Sequence, residues 1–332
     1  MCSEFPYEFI IQGVHMSSVL IKDYDSMTVM YHNAGFILEY LSKFRDEFDA
    51  HCMKYFPGCS LLTREIAEGW IHNTASHSKH TLLRRVQTMK KLGLYQQSLG
   101  KDAYMPDYCI KPDPPAPPVL FSEIQLEEFF SLADSIPCDY RSPNREVIFP
   151  VLFRLLYCCG LRASEACLLL AGDVDLDRGI LEIYHSKGHK DRIVYMSEDV
   201  RILCLKFHRY YSSILPGRKY FFQPGREKEH YTKADVANTF GRIRKNMDSC
   251  PKKGKLPTAH GLRHLFAVEN VKMCLDQGED FNNWIPYLSQ YMGHRNLRDT
   301  LYYIHMTSHL FPSYKDKLDR LTERIGVRYV EE

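Results

Sequence analysis

Apolar residues recur with helical spacing through the first part of the chain. Between residues 31 and 51 the apolar positions are Ile37, Leu38, Leu41, Phe44 and Phe48. A period near 3.6 residues predicts an amphipathic helix over Tyr31–His51. A shorter helix is predicted over Leu61–Ile71. These patterns indicate that the chain begins with a small helical unit.

A third helix of this unit is predicted over Ser78–Leu92, with Gly93 placed to end it. Its basic face consists of Lys79, Arg84, Arg85, Lys90 and Lys91. Such a face is commonly no more than solvated surface, but it can also contact the phosphates of DNA. The pattern alone leaves both interpretations open.

Prolines dominate the next segment. Six of them lie between Pro106 and Pro118, and proline excludes regular helix and favours extended conformation. Such a segment is typical of a semi-rigid spacer. The 332 residues also exceed the roughly 250–300 at which a single core stops growing. We therefore predict a helical domain over residues 1–104, a linker over 105–119 and a second domain over 120–332.

The second domain is predicted to be mostly helical. Ser122 to Gln125 fits a capping box at a helix start, and Gly160 follows a strongly apolar run that it is expected to end. The predicted helices cover Leu126–Ala133, Glu146–Cys159, Ser164–Leu170 and most of the chain beyond Lys233.

Two short runs of β-type residues interrupt these helices. They are Ile180–His185 and Arg192–Met196, and Gly188 lies in the polar stretch between them. This pattern predicts a β-hairpin with Lys187 on its turn. The fold class expected for the whole chain is therefore mainly α with a small antiparallel β-sheet (α+β).

Composition and charge exclude some classes of protein but do not by themselves indicate a function. The net charge of +2 is low for a DNA-binding protein, but Lys and Arg cluster in a few places. Eleven cysteines, an odd number with scattered spacing, do not suggest a disulfide framework and are interpreted as reduced thiols. No long apolar run and no signal-peptide pattern is seen, so a cytoplasmic location is expected.

Four local motifs carry residues suited to chemistry. They are Gly160-Leu-Arg162-Ala-Ser-Glu165, Lys187 on the hairpin, His260-Gly-Leu-Arg263-His264, and Gly293-His294 followed nine residues later by Tyr303. Each is weak alone. Arg162 could simply pair with Glu165, Lys187 could be solvated, and Tyr303 could be a core aromatic. Taken together, their order and spacing are much more specific.

In this order and spacing the motifs resemble the tyrosine recombinase (integrase) family. The resemblance covers about residues 120–310. The N-terminal unit, with its basic helix ahead of a proline-rich linker, is less specifically similar to the family's core-binding domain. The family fold would be a helical core-binding domain followed by an integrase-type catalytic domain.

The resemblance implies a role for each motif residue. Arg162 and Arg263 would hold the scissile phosphate, because guanidinium groups are always charged and match two phosphate oxygens. Tyr303 would be the nucleophile and His260 its base or proton acceptor. His294 would donate to the phosphate, and Lys187 would protonate the leaving 5′ oxygen. Glu165 would orient Arg162.

The resemblance also implies a covalent 3′-phosphotyrosyl intermediate, which stores the bond energy. No nucleotide cofactor and no metal is then required. The partners expected are a double-stranded DNA recombination site and further copies of the chain, most simply four on two duplexes. Integration, excision or transposition of a mobile element is the expected role.

Two features of the C-terminal third need separate mention. Tyr302 and Tyr303 lie about 100° apart on a helix, so only one can face the phosphate, and Tyr302 is the second choice. Near the end of the chain Tyr314, Leu318, Leu321 and Ile325 form one apolar face. A helix over about residues 312–327 either packs on its own domain or, as in the family, docks on a neighbouring protomer.

Three alternatives were weighed against a recombinase. A type IB topoisomerase shares the Tyr, Arg and Lys chemistry, and a DNA-binding regulator could use a catalytically silent recombinase scaffold. A metallohydrolase could use His260 and His264, but the Glu of the metalloprotease motif is replaced by Gly261. The complete set of motifs favours the recombinase.

Overall fold

The fold was analysed in a computed structural model. It describes residues 17–36, 38–73, 78–111, 113, 117–140, 142–184, 191–225, 227–294 and 296–310. The chain divides into two compact units, Met1–Ala116 and Pro117–Glu332, and the division falls inside the segment predicted as a linker. The predicted fold class is confirmed, because the elements are mainly helices with one small antiparallel sheet.

The regular elements in the described part of unit 1 are all helices. Its helices are α1 (Ile21–Asn33), α2 (Glu39–Tyr55), α3 (Arg64–Ile71) and α4 (Lys79–Ser98). They enclose an apolar core in which Phe48, Trp70 and Met89 are fully buried. Aromatic edges stabilise it, since the rings of Phe48 and Trp70 meet at 5.3 Å.

Two boundaries in unit 1 correct the prediction. The helix expected over 31–51 is two helices, because Gly35 takes a positive φ of 81° that ends the first. Gly93 does not end α4, which runs on to Ser98. A Cβ added at Gly93 would lie 2.5 Å from the carbonyl oxygen of Tyr104. This glycine therefore serves a close backbone approach rather than a helix end.

Unit 2 contains the remaining described helices. They are α5 (Glu123–Asp134), α6 (Arg145–Cys158), α7 (Ala163–Leu168), α8 (Glu198–Ile214), α9 (Lys233–Asn246), α10 (Ala259–Gln277), α11 (Phe281–Tyr291) and α12 (Leu297–Leu310). The apolar helix α6 lies at the centre of the larger core and packs on α8 and α10. A second core joins α10, α11 and α12. Helix α10 contributes to both cores, which makes it the support of the site described below.

The hairpin is found where it was predicted. Strands β2 (Ile180–Ile183) and β3 (Arg192–Tyr195) pair antiparallel, with Ile180 opposite Tyr195. A two-residue strand β1 (Val174–Asp175), which was not predicted, pairs with β2 and gives the order β1-β2-β3. The turn at 185–190, with Lys187, lies outside the described residues, as does the predicted helix at 312–327.

Across the described residues, no helix combines the length and apolar character needed to cross a bilayer.

Candidate active site

Gly160 sets up the first motif. It takes a positive φ of 60°, and a Cβ there would lie 2.5 Å from the ring of Phe266, so glycine suits both the turn and the contact. The chain then enters α7 with Arg162 at its N-cap, and the backbone N–H of Arg162 donates to Oε2 of Glu165 (2.8 Å). Nη1 of Arg162 donates to Oε1 of the same carboxylate (2.7 Å).

Arg162 is also tied to the fourth motif. Its Nη2 donates to the carbonyl oxygen of Gly293 at 2.9 Å. Gly293 has a φ of 64°, which lets the chain turn between α11 and the start of α12. Two motifs 131 residues apart are thus joined by one hydrogen bond.

Glu165 is shared between two arginines. Arg192, at the start of β3, donates from Nη1 and Nη2 to both carboxylate oxygens (2.9 and 2.8 Å) and from Nε to the carbonyl of Tyr291 (2.7 Å). Burial alone would raise the pKa of Glu165, but the hydrogen bonds and charge of Arg192, with those of Arg162, lower it to about 2. This carboxylate is therefore charged at neutral pH and holds both guanidinium groups in place.

Arg263 is almost completely buried on α10, with 2% of its surface exposed. Its Nη1 donates to the carbonyl of Gly160, and its Nη2 donates to the carbonyl of Met292 at 2.5 Å and lies 3.3 Å from Nε2 of His294. The carboxylate of Glu165 is 4.0 Å away. Burial and the charge of Arg162 lower the pKa of Arg263 to about 10, so it stays positive at neutral pH.

His294 is fixed from both sides of its ring. Nδ1 lies 2.7 Å from Oγ1 of the buried Thr300, and Nε2 faces Arg263. Its ring stacks on that of Tyr303, with centroids 5.9 Å apart and planes 13° apart. Burial and the neighbouring arginines lower its pKa to about 3, so the ring is neutral.

Tyr303 lies on α12 with 3% of its surface exposed. Its Oη is 3.1 Å from Nδ1 of His264, and Thr307 donates to its backbone carbonyl at 2.8 Å. Burial raises the pKa of Tyr303, while the charges of Arg263 and Arg162 oppose that rise. Tyr302, the second choice, makes an edge contact with Tyr303 and is only partly buried.

His260 and His264 lie one turn apart on α10, with ring centroids 4.5 Å apart. Burial of the ring lowers the pKa of His260 to about 4, and the charges of Arg263 and Arg162 add to this effect. Part of the residue nevertheless remains exposed. Burial and the charge of His260 lower the pKa of His264 to about 3. Both imidazoles are therefore neutral at pH 7.

The structure brings most of the predicted site residues together. Those that share the site in unit 2 are Arg162, Glu165, His260, Arg263, His294 and Tyr303. Three arginines then face a single carboxylate, an arrangement that favours an anion. Their catalytic roles, and that of Lys187, stay predictions at this point.

The basic helix of unit 1 needs one correction. Arg85, predicted to face DNA, is fully buried, with Nη1 donating to Asn73 Oδ1 at 2.8 Å and Nη2 bonded to Glu47. Its guanidinium is taken up by the unit's own interior, because it lies on the α4 face that also carries the buried Met89. By contrast Lys79 is exposed, and Arg84, Lys90 and Lys91 are partly exposed.

Sequence reasoning missed three members of this site: Arg192, His264 as a partner of the tyrosine, and Thr300. The sequence places Arg192 in a basic cluster at the start of a strand, and its contact to Glu165 spans 27 residues. His264 was weighed only as a metal ligand. A signal existed for His264, since i and i+4 residues share a helix face with His260, and none existed for Thr300.

Comparison with known proteins identifies the family. The phage integrase family profile matches residues 123–309, which is more than half of the chain and contains every motif named above. The chain therefore belongs to the phage integrase family, the tyrosine recombinases, and is an enzyme of that family. The topoisomerase and silent-regulator alternatives are not favoured.

Relatives and solved structures agree with this assignment. The chain is 31% identical over 237 residues to the candidate integrase/recombinase y4rE of Sinorhizobium fredii, covering 68% of this chain and 71% of that protein. It is 29% identical over 262 residues to tyrosine recombinase XerA of Thermococcus kodakarensis, covering 74% and 84%.

Among solved structures, the fold is similar to the Tn1549 transposon integrase in complex with transposon right end DNA. The TM-score is 0.59 at 17% identity, and the match covers 93% of this chain and 99% of that one. It is also similar to a lambda integrase tetramer bound to a Holliday junction, with a TM-score of 0.57 at 15% identity, covering 83% and 77%.

Proposed function

We propose that this chain is a site-specific DNA recombinase that uses Tyr303 to cleave and rejoin DNA strands through a 3′-phosphotyrosyl intermediate. The observation that carries the proposal is the position of Tyr303. Its ring stacks on His294, which contacts Arg263, and the charges of Arg263 and Arg162 act on its hydroxyl. A nucleophile beside two fixed guanidinium groups is suited to attack on a phosphodiester.

In the proposed reaction, each of these side chains has a separate task. Arg162 and Arg263 hold the non-bridging oxygens of the scissile phosphate and stabilise the charge that develops there. When the phosphate is bound, Nε2 of His294 exchanges its contact with Arg263 for a hydrogen bond that it donates to the phosphate. The Tyr303 hydroxyl gives its proton to a neighbouring histidine, and its oxygen bonds to phosphorus as the bond to the 5′ oxygen breaks. Lys187 supplies the proton to that leaving oxygen. Attack by a 5′ hydroxyl reverses the sequence, so no nucleotide is consumed.

The DNA partner is supported by the solved relatives. One is a transposon integrase with transposon DNA and another is a tetramer on a Holliday junction. We propose that this chain likewise acts on double-stranded DNA as a tetramer, with the segment at about 312–327 docking on a neighbouring copy. Recombination of a mobile element in the cytoplasm, where its DNA lies, is the role we assign.

Unit 1 is proposed to contribute DNA backbone contacts. Lys79, Arg84, Lys90 and Lys91 keep exposed surface on α4, whereas Arg85 is withdrawn from this set by its burial. Phosphate contacts of this kind make affinity depend on salt rather than on sequence. Unit 1 together with the linker and unit 2 forms the domain plan 1–104, 105–119 and 120–332 that we propose.

A nicked suicide duplex tests the reaction. Its sequence is taken from the two flanks of the DNA that carries the coding region, as pooled fragments. A covalent protein–DNA band on a denaturing gel is expected with the wild type and not with Tyr303→Phe, because the phenyl ring has no oxygen to attack phosphorus. Tyr302→Phe is the matched control and is expected to keep the band.

The same gel can contradict the assignment. A band that survives in Tyr303→Phe and disappears in Tyr302→Phe moves the nucleophile by one residue. Salt-sensitive DNA binding without any band, on every fragment of the pool, contradicts the cleavage reaction.

A further inference from the structure

The proposed function leaves open which group takes the proton of Tyr303. Sequence reasoning assigned it to His260, the first histidine of the second motif. The structure gives the contact to a different ring, because Nδ1 of His264 lies 3.1 Å from Oη of Tyr303. This distance is that of a hydrogen bond. The bond joins α10 to α12 and connects residues that are 39 positions apart in the sequence.

The other two histidines described at the site have different surroundings. Both ring nitrogens of His294 are occupied, Nδ1 by Thr300 and Nε2 by Arg263. His260 keeps exposed surface and meets His264 edge to face. That position suits a ring that meets DNA or solvent. His264, which is partly buried, is the ring that holds the attacking oxygen.

The groups around His264 determine whether its ring is charged or neutral. The groups that face it are His260 and Arg263 from its own helix, His294 from the loop before α12, and Tyr303 from α12. Burial and the three basic neighbours lower the pKa of His264 to about 3. In the neutral tautomer that carries its proton on Nε2, Nδ1 of His264 accepts the hydrogen bond and Tyr303 donates it.

Resting on the proposed function, we propose that His264 is a catalytic residue, the proton acceptor that activates Tyr303. As the Tyr303 oxygen bonds to phosphorus, its O–H bond breaks and the proton passes to Nδ1 of His264, giving an imidazolium. On rejoining, the tyrosine leaves phosphorus and takes the proton back. The ring therefore ends each cycle neutral.

DNA would favour this step. The pKa of His264 is lowered first by burial and then by its basic neighbours, among them Arg263, and a phosphate anion held at Arg263 would offset part of that positive charge. A nearby opposite charge favours the protonated form of an imidazole. Without DNA the same ring only orients the phenol. Proton transfer is thereby coupled to occupation of the phosphate site.

Three variants test the assignment by single-turnover cleavage of the nicked suicide duplex from pH 5.5 to 9.5. His264→Asn keeps a polar group near the position of Nδ1 but cannot take the proton, and His264→Ala removes both functions. His260→Asn is the matched control one turn away. Loss of a general base lowers the rate by roughly 10²- to 10⁴-fold, and we expect that loss at neutral pH for both His264 variants.

The pH profile separates proton transfer from positioning. We expect the wild-type rate to be nearly flat above its acid limb. In His264→Asn hydroxide must replace the base, so the rate should rise by about tenfold per pH unit, because the pKa of Tyr303 lies above its ordinary value. His260→Asn should be slower with the wild-type shape.

Three results overturn the inference. An equal loss at every pH in His264→Asn means that the ring only positions the tyrosine. A tenfold-per-unit rise in His260→Asn, with a flat His264→Asn, assigns the proton to His260. Wild-type activity retained by both His264 variants removes the ring from the reaction. A wild type that forms no covalent complex contradicts the proposed function itself, which distinguishes the two failures.

Nitrogen NMR of histidine-labelled protein gives a readout without DNA. Nδ1 of His264 should shift in Tyr303→Phe, since its hydrogen-bond donor is lost, and should not shift in Tyr302→Phe. An Nδ1 signal unchanged in Tyr303→Phe contradicts the contact on which the inference stands. Circular dichroism of each variant checks that the fold is retained.

Discussion

Each unit contains an arginine that is almost sealed from solvent, and the two are used in opposite ways. Arg85 of unit 1 is 0% exposed and Arg263 of unit 2 is 2% exposed. Arg85 pairs with the carboxylate of Glu47 and lies over the ring of Trp70, 4.6 Å from its centroid. Its charge is balanced inside its own unit.

Arg263 has no such close partner among the described residues. It donates to two carbonyls, touches the ring of a neutral histidine and lies 4.0 Å from Glu165, whose oxygens are already bonded to Arg162 and Arg192. A buried charge without a dedicated counter-ion is costly. Such a buried charge is expected where an anionic ligand supplies the missing counter-ion. Burial therefore does not separate Arg85 from Arg263, but their hydrogen-bond and charge partners do.

Among the variants that test the contrast between Arg85 and Arg263, we expect Arg263→Gln to have the largest effect, a loss of DNA cleavage. Removing one preorganised donor to a developing charge lowers turnover by roughly 10²- to 10³-fold, so cleavage of the suicide duplex should fall by that factor. The thermal midpoint should also fall, because the shorter glutamine amide does not reach both carbonyls. Cleavage is therefore compared at a temperature at which the variant is folded. A variant that cleaves normally but melts early would make Arg263 a structural residue like Arg85.

The next effect concerns the carboxylate that holds the other two arginines. In Glu165→Gln, Arg162 and Arg192 lose their shared counter-ion, and breaking a buried pair costs about 3–5 kcal/mol of unfolding free energy. Chemical denaturation measures this loss. Arg201→Gln is the control, since Arg201 pairs with Glu198 at the surface of unit 2. Equal stability of the two variants would show that the Glu165 network is no stronger than a surface pair.

The same carboxylate predicts a pH dependence. The folded-state pKa of Glu165 is about 2, below its ordinary value of 4.5. A depressed carboxylate pKa stabilises the fold above the unfolded value and loses that stability as pH falls towards the folded one. The difference in unfolding free energy between wild type and Glu165→Gln should therefore be constant above pH 4.5 and shrink between 4.5 and 2. A difference independent of pH in that window would contradict the charged state of Glu165.

Much of the candidate site could be predicted because its members lie in short motifs with fixed spacing. Arg162, Arg263, His294 and Tyr303 needed only the order of the motifs along the chain. The hairpin could be predicted from its two runs of β-type residues. The helix end at Gly160 could be predicted because that glycine follows an apolar run. Each of these signals is local, within about ten residues.

The misses were non-local or depended on which way a side chain points. The bond from Arg192 to Glu165 and that from His264 to Tyr303 arise only when distant elements pack. Arg85 was read with its charged neighbours, although it shares its helix face with Met89, Leu92 and Gln96, all buried. Helical periodicity could have shown this, but charge was given more weight than position.

A smaller effect than that of Glu165 is expected when the structural arginine is replaced. Arg85→Met keeps the apolar stem but leaves Asn73 and the carbonyl of Trp70 without their donor. We expect a loss of about 1–3 kcal/mol, typical of unsatisfied buried polar groups, because Glu47 is partly exposed and can be hydrated. Denaturation measures the loss. The salt dependence of DNA binding should stay as in wild type, and a change in it would return Arg85 to the DNA surface.

The smallest effect is expected at Lys79, on the same helix as Arg85 but exposed. Its Nζ pairs with Asp113 at 2.6 Å, with 57% and 67% of the two side chains exposed, and such pairs contribute about 0–1 kcal/mol. Lys79→Ala should therefore leave stability nearly unchanged. If Lys79 contacts a phosphate, the slope of log affinity against log salt should fall by about 0.9. Asp113→Ala is the matched opposite, because freeing Lys79 from its carboxylate should strengthen binding at low salt. Unchanged slopes and affinities in both variants would confine Lys79 to solvated surface, so that it would join Arg85 among the α4 cations that do not contact DNA.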